Sequence, residues 1–249
     1  MLLTIDVGNS NIVFGLLEQG TMLSRRRRET RDGASAADYE AEIAALLAGR
    51  IPEGAILSSV APEVNGALAA AAEKVTGKKC LVVGSGMALD MPLRVEEPAS
   101  VGADIIAGCV GAKEHYPLPL AVADLGTANT VMVVDRTGAY VGGVIAPGLK
   151  MQLKALGAGT SLLPDLEVCA PEKVIGANTV DCLESGVVYG TAAMLDGIVE
   201  RMEEELGETL TVVACGGLSG LVAPLCRHAV VYDPDLLLKG MEAIYRKNQ

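Results

Sequence analysis

The sequence predicts an α/β protein of two similar domains, each a mixed sheet flanked by helices. Three observations carry that expectation: a strand-turn-strand unit that occurs twice, an alternation of helical and strand patterns around the two copies, and an apolar composition nearly free of aromatics. Half of the 249 residues are hydrophobic, yet there are six Tyr, one Phe and no Trp. A core of Val, Leu, Ile, Ala and Met packs well between sheets and helices. The length suffices for one large domain or two of ordinary size.

The repeat is read directly. Residues 2–15 are LLTIDVGNSNIVFG and residues 120–133 are LAVADLGTANTVMV. Aligned at Asp6 and Asp124, each copy is an apolar run ending in Asp, a turn of small residues and a second β-rich run. A further turn follows each, Glu18-Gln19-Gly20 and Asp135-Arg136-Thr137-Gly138, and then a third strand, Thr21 to Arg28 and Ala139 to Ala146. The same three-stranded meander is therefore expected twice.

Helix and strand patterns fill the remainder. Residues 34–48 are helical in pattern, after polar Asp32-Gly33. Ala55 to Val60 reads as a strand, and Pro62 is placed to start a helix, since proline is tolerated in the first turn. Leu81-Val82-Val83 is a short strand, and Ala99 to about Glu114 a helix stopped by Tyr116-Pro117. A long helix is expected from about Asn178 to Leu206, a strand from Leu210 to Ala214, and a last helix from near Asp233-Pro234. The expected domains are 1–116 and 117–249, closely packed because no low-complexity linker separates them.

Composition excludes several classes of function. The formal net charge is −11, and aromatic stacking platforms are scarce, so a nucleic-acid partner is not expected. The run Arg25-Arg26-Arg27-Arg28, with Arg31 behind it, is either an anion-binding strip or a solvated strand whose alternate side chains point to opposite faces; the second is favoured. The six cysteines form no CxxC pair, and His115 and His228 have no metal-ligand spacing. Cys109 and Cys182 fall in expected helices and read as core residues. No run of 18 apolar residues occurs, and the start reaches Asp6 too soon for a signal peptide. A cytoplasmic protein with free thiols, and no membrane association, is the expectation.

The repeated turns carry the candidate chemistry. Each Asp sits at a strand end, and the nearby Gly lets backbone approach a ligand with no Cβ in the way. The following residues offer backbone N–H groups and short hydroxyl or amide side chains, which are donors to phosphate oxygens. Two such turns facing each other could grip a nucleotide's phosphates. The carboxylates then require cations, Mg²⁺ through water or a monovalent ion. Gly216-Gly217, after the expected strand to Ala214 and opening a helix, would let a flat adenine and ribose lie on backbone.

These elements, in this order, resemble type III pantothenate kinase over nearly the whole chain. The stretches are Asp6 to Asn11, Ser59-Val60-Ala61-Pro62, Gly102-Ala103-Asp104, Asp124 to Ala128, Gly142 to Gly148, Ile175 to Val180 and Gly216-Gly217-Leu218. The resemblance implies a duplicated RNase H-like (actin-like ATPase) fold of the sugar-kinase type. It also implies transfer of the ATP γ-phosphoryl to the primary hydroxyl of pantothenate, the first step towards coenzyme A. By similarity, Asp6, Val7, Gly8, Asn9, Ser10, Asn11, Ile12 and Val13 would form the first phosphate turn, with Asp6 holding Mg²⁺ through water. Gly126 and Thr127 would contact ATP, as would Gly216 and Gly217. Asp124 would bind K⁺ or NH₄⁺. Asp104 would accept the proton of the substrate hydroxyl. Gly102, Ala103, Asp104, Ile105 and Thr179 would line the acceptor site, and a homodimer is implied, with the helix around 183–198 suited to the contact. At the head of a helix, backbone donors and the helix dipole are expected to keep Asp104 ionised.

The chain departs from the family on the acceptor side. Where the family reads Gly-Ala-Asp-Arg, Ile105 stands in place of the Arg, and Val95-Glu96-Glu97-Pro98 replaces a Tyr-x-Asn-Pro stretch. Asn129 and Cys215, where Thr is commoner, are milder changes. Losing a charge-assisted hydrogen bond to the pantothenate carboxylate removes roughly 1.5–3 kcal/mol. Arg94 or a partner subunit could restore it. A kinase for another small alcohol and a non-catalytic nucleotide-binding regulator are the alternatives, with a hydrolase of the exopolyphosphatase type behind them.

Overall fold

The computed structural model describes residues 1–30, 33–159 and 166–249; Arg31 of the basic run and Asp32 ahead of the first helix lie outside them. The chain divides into two compact units, residues 1–115 with 235–249, and residues 116–234.

The first unit contains β1 (Leu2–Val7), β2 (Asn11–Glu18), β3 (Thr21–Glu29), α1 (Ala36–Leu47), β4 (Ala55–Ser59), α2 (Pro62–Thr76), β5 (Cys80–Val82) and α3 (Ala103–His115). Its sheet has the order β3-β2-β1-β4-β5, antiparallel from β1 to β3 and parallel from β1 to β5. Alternation along β1 sends Leu3, Ile5 and Val7 into a core with Tyr39 and Ile43 of α1 and Leu68 of α2. Local signals set the helix ends. Ser35 and Asp38 form a reciprocal capping box on α1, and Pro62 occupies the first turn of α2.

The second unit repeats the plan with β6 (Leu120–Leu125), β7 (Ala128–Val134), β8 (Tyr140–Pro147), α4 (Leu149–Gly159), α5 (Thr179–Leu206), β9 (Thr211–Cys215), a four-residue α6 (Ser219–Val222) and β10 (Val230–Tyr232). Its order, β10-β9-β6-β7-β8, places β6 where β1 stands, with antiparallel neighbours on one side and parallel on the other. The duplication reaches irregular detail. A register shift interrupts β2–β3 at Leu16/Leu17 and β7–β8 at Val133/Val134. The ungapped alignment slips past the turn, however. Asp6 pairs with Val13, seven residues on, and Asp124 with Thr130, six residues on, so the second turn is one residue shorter.

Several expectations change in detail. The helix expected from Ala99 begins at Ala103, after a separate 3₁₀ turn, Pro98–Ser100. The helix after Gly216-Gly217 is only one turn of α6, continued by a 3₁₀ turn at Ala223–Leu225. Cys182 is exposed on α5, whereas Cys109 is buried in α3. α4 and the three-residue β10 were not expected. α5, 28 residues long, is apolar and long enough to cross a membrane, but 44% of its most apolar window is buried, and Val187, Val188, Leu195 and Val199 pack in the unit's cores.

The last helix, α7 (Leu236–Lys247), returns to the first unit, although a single cut near residue 116 leaves it with the second. Arg25, Arg26 and Arg27 of the basic run are exposed on edge strand β3, as a solvated strand is expected to be, and three of the four arginines also find partners. Arg25 pairs with Asp235 just ahead of α7, Arg26 pairs with Glu42 of α1, and the Arg28 guanidinium lies 5.9 Å from the Tyr39 ring centroid. Glu242 of α7, 4% exposed, receives the N–H groups of Gln19 at 2.9 Å and Gly20 at 2.6 Å in the β2–β3 turn. Both turn residues have positive φ, so the turn relies on that carboxylate to hold its two N–H groups. Glu242→Ala is expected to cost about 2 kcal/mol, since bonds to a charged acceptor are lost from a partly buried turn. The urea midpoint, at unchanged m value, measures it.

Candidate functional site

In the first unit the site begins at the end of β1. Asp6 is in register with Val13 on β2 and with Ser58 on β4. The turn closes with the Gly8 N–H donating to the Asn11 carbonyl at 2.9 Å, and a Cβ on Gly8 would stand 3.3 Å from that oxygen. Thr30, buried beyond β3, braces it from behind. Its hydroxyl donates to the Gly8 carbonyl at 2.7 Å and its N–H to the Ser10 carbonyl at 3.1 Å. Asn9 and Ser10 are left exposed at the tip, while Val7 and Ile12 are buried and anchor the ends.

Asp104 stands in the first turn of α3, which packs against β4. Its Oδ1 accepts the Ile105 N–H at 2.8 Å and folds back over Gly102, where a Cβ would lie 2.5 Å from that oxygen. A side chain at Gly102 would therefore displace the carboxylate from this position, and the Gly102 carbonyl accepts the Ile106 N–H at 3.0 Å to start the helix. Burial raises the pKa of Asp104 above the ordinary carboxylate value, outweighing the Ile105 and Asp104 N–H groups that lower it. That direction is opposite to the one expected, because desolvation of the charged form exceeds the help from one helix end. Ile105 is half-buried beside it, and Arg94 is exposed in the loop ahead of Pro98–Ser100.

In the second unit Asp124 ends β6 in register with Thr130 and Cys215. Its carboxylate lies between two glycines. A Cβ at Gly126 would be 3.6 Å from Oδ1, and one at Gly216 would overlap it. Gly216 has φ +91°, so it is required both for the turn and for the space. The Gly126 N–H donates to the Ala128 carbonyl at 3.1 Å, and Thr127 is exposed at the tip, its carbonyl accepting the Gly148 N–H at 3.2 Å. Gly217 is exposed next to Gly216, and Thr179 is the exposed first residue of α5, after its cap Asn178.

Within the first unit, then, lie the Asp6 to Val13 turn and Gly102 to Ile105. Within the second, Asp124, Gly126 and Gly216 come together, beside Thr127 and Gly217. Sequence reasoning missed two supports. Ser58, fully buried beside Asp6, has a hydroxyl with no hydrogen-bond partner; a Ser at the end of the apolar strand Ala55–Ser59 was the available signal. Gly148 packs its backbone on the carbonyls of Gly126 and Thr127, so no side chain would fit there. Among the described residues no group of three or more His, Cys, Asp or Glu is placed to hold a metal ion, and His228 lies instead against Asp196, at 3.2 Å. The unpartnered Ser58 hydroxyl beside Asp6 and the glycine cradle around Asp124 both suit a cation shared with a ligand rather than held by protein alone.

Two sheets of one topology, each with an Asp-x-Gly turn ending its central strand, define the two-domain α/β fold of actin-like ATPases and sugar kinases. The structure of a ROK family glucokinase from Streptomyces griseus has it, at 15% identity and TM-score 0.51 over 98% of this chain and 99% of that one. A crystal structure described as a Baf family transcriptional activator from Campylobacter jejuni is closer in shape, at TM-score 0.63 and 19% identity over 99% and 98%. Residues 2–201 match the model of type III pantothenate kinase, and the chain belongs to that family. A relative from Brevibacillus brevis carrying the same description is 39% identical over the full length of both chains.

Because folded Asp104 holds its proton more tightly than the unfolded chain does, its contribution to stability falls as pH rises from the unfolded value, about 3.9, through the raised folded one. Asp104→Asn is therefore expected to be more stable than the parent at neutral pH. The gap should close in acid, as urea denaturation between pH 4 and 8 would read. A constant gap would mean that burial of the charge is not its cause.

Proposed function

We infer that this chain transfers the γ-phosphoryl of ATP to pantothenate, giving 4′-phosphopantothenate, the first step of coenzyme A biosynthesis. The observation that carries the reading is the Asp104 carboxylate, folded over Gly102 at the head of α3 with its proton affinity raised by burial, in a chain of this family. As the pantothenate hydroxyl oxygen bonds to the γ-phosphorus, the bond to the β–γ bridging oxygen breaks and ADP leaves. Asp104 takes the hydroxyl proton and later gives it to solvent. Phosphoryl transfer depends mainly on alignment and charge neutralisation, so a base of modest strength suffices.

The Asp6 to Val13 turn, Gly126 with Thr127, and Gly216 with Gly217 are the nucleotide-binding groups in this reading. Family membership implies ATP and a divalent metal. We take the metal as Mg²⁺, which Asp6 would hold through water with Ser58 near by, and K⁺ or NH₄⁺ as the ion that Asp124 would bind; both would supply positive charge to phosphate oxygens. Gly102, Ala103, Ile105 and Thr179 line the acceptor side. Ile105 offers no charge to the pantothenate carboxylate, which weakens acceptor binding about ten- to a hundredfold unless Arg94 or a partner subunit compensates. It equally suits a neutral alcohol, and turnover with another alcohol far above that with pantothenate would favour that second reading.

The decisive assay is ADP release with Mg-ATP and K⁺, with and without pantothenate. Pantothenate-dependent turnover, lowered at least about a hundredfold by Asp104→Asn, is expected. ATP binding with no acceptor-dependent release would turn the reading towards a regulatory nucleotide-binding protein.

A homodimer, in the cytoplasm, completes the proposal. Its support is an exposed apolar surface on the second unit, with Val174 and Ile175 ahead of α5 and Val180 in its first turn; Gly186, Gly190 and Ala193 further along the helix are also exposed. Six free cysteines accord with a reducing compartment. Sedimentation velocity at micromolar concentration is expected to give twice the chain mass; a monomer would remove the shared acceptor pocket as well.

A further inference from the structure

The position of Asp104 is set by a helix remote from it in sequence. α3 and α7 approach each other backbone to backbone where Gly111 meets Gly240. A Cβ on Gly111 would overlap the Leu236 carbonyl and stand 3.0 Å from the Gly240 nitrogen. One on Gly240 would overlap the Ala107 carbonyl and stand 2.8 Å from the Gly111 nitrogen. Neither glycine has positive φ, so neither serves a turn; both serve the close approach. The two helices are in contact, and Ile106, Ala107 and Val110 on one and Leu236, Met241 and Ile244 on the other are buried.

The far end of α7 reaches the segment that leads into the acceptor loop. Asn248 exchanges two hydrogen bonds with the Ala88 backbone, each 3.0 Å, and Lys247 Nζ lies 3.0 Å from the Asp90 carboxylate. Lys113 of α3 converges on the same Asp90, whose φ is +54°. The near end is fastened to the sheet, through Arg25 to Asp235 and through Glu242 to the β2–β3 turn. α7 therefore connects the sheet that carries Asp6 to the helix and loop that carry Asp104.

We propose that α7 is a positioning element for the phosphoryl acceptor site, with Gly240 and Gly111 as the positioning residues that set where the Asp104 carboxylate stands. This rests on the reading of Asp104 as proton acceptor. Gly240→Ala adds a methyl group where no space exists, so α3 must move away. A displacement of about 1 Å at a reacting group lowers turnover by up to about a hundredfold. The loss falls on kcat with pantothenate, while the KM for ATP stays within about twofold, because the phosphate turns do not rest on this crossing. Since Gly240 acts only through Asp104, it adds nothing once Asp104 is gone.

The test is a double-mutant cycle of Gly240→Ala and Asp104→Asn in the full chain, read by steady-state kinetics and thermal melting. Gly66→Ala on α2, where a Cβ meets nothing within 4 Å, is the control. Expected are a folded Gly240→Ala with kcat reduced at least about tenfold, an unaffected control, and a double variant no slower than Asp104→Asn. A folded Gly240→Ala with full kcat beside an inactive Asp104→Asn would overturn this inference alone, as would losses that multiply. An active Asp104→Asn would overturn the assignment of Asp104 and this inference with it. If Gly240→Ala melts below the assay temperature, Lys247→Met with Asn248→Ala carries the test. It leaves the crossing intact and is expected to lose about three- to tenfold in kcat/KM for pantothenate, again with no further loss on Asp104→Asn; unchanged kinetics would overturn the proposal.

Discussion

The central strand of each sheet, β1 or β6, is hydrogen-bonded on both edges, antiparallel to one neighbour and parallel to the other. The rest of each unit follows from that constraint. A strand paired on both edges and covered on both faces has almost no freedom, so the residue at its end is held at a fixed height. Asp6 and Asp124 are those residues. The antiparallel side returns the chain through a short turn closed by its own backbone, Gly8 N–H to Asn11 carbonyl and Gly126 N–H to Ala128 carbonyl. The parallel side ends where a helix begins, which brings Ser58 to Asp6 and Gly216 to Asp124.

Around that frame, space for the carboxylates is kept by omission of side chains. Gly102 makes room for the Asp104 carboxylate, and Gly126 and Gly216 for that of Asp124. At Asp104 the consequence is electrostatic as well as steric. Burial disfavours the charge more strongly than neighbouring N–H groups favour it, so the fold holds this carboxylate at a cost in stability once it is ionised. The free Ser58 hydroxyl is a further local imperfection of the kind that a bound ligand or water would relieve.

The duplicated strand-turn-strand unit was legible because its signals are local: apolar runs, Asp at a strand end, small residues in the turn. The one-residue difference in turn length was not, because Asp-x-Gly aligns without a gap and only the pairing of Val13 with Asp6 and Thr130 with Asp124 exposes the slip. The arginine run shows the same limit. Its alternation on a strand could be read, but not its partners: Glu42 and Tyr39 come from the next helix, and Asp235 from the far end of the chain.

The sequence by itself determined the elements, the repeat, the candidate carboxylates and the family resemblance, since each depends on residues within a few positions of one another. Only the tertiary structure decided that α7 belongs with the first unit, that Gly111 and Gly240 are spacers between two helices, and that Asp104 is pushed towards its protonated form. The physical reason is common to all three. Burial and close approach depend on what the fold packs against a segment, which for α7 and the two glycines is chain more than a hundred residues away, and no periodicity within one segment encodes it.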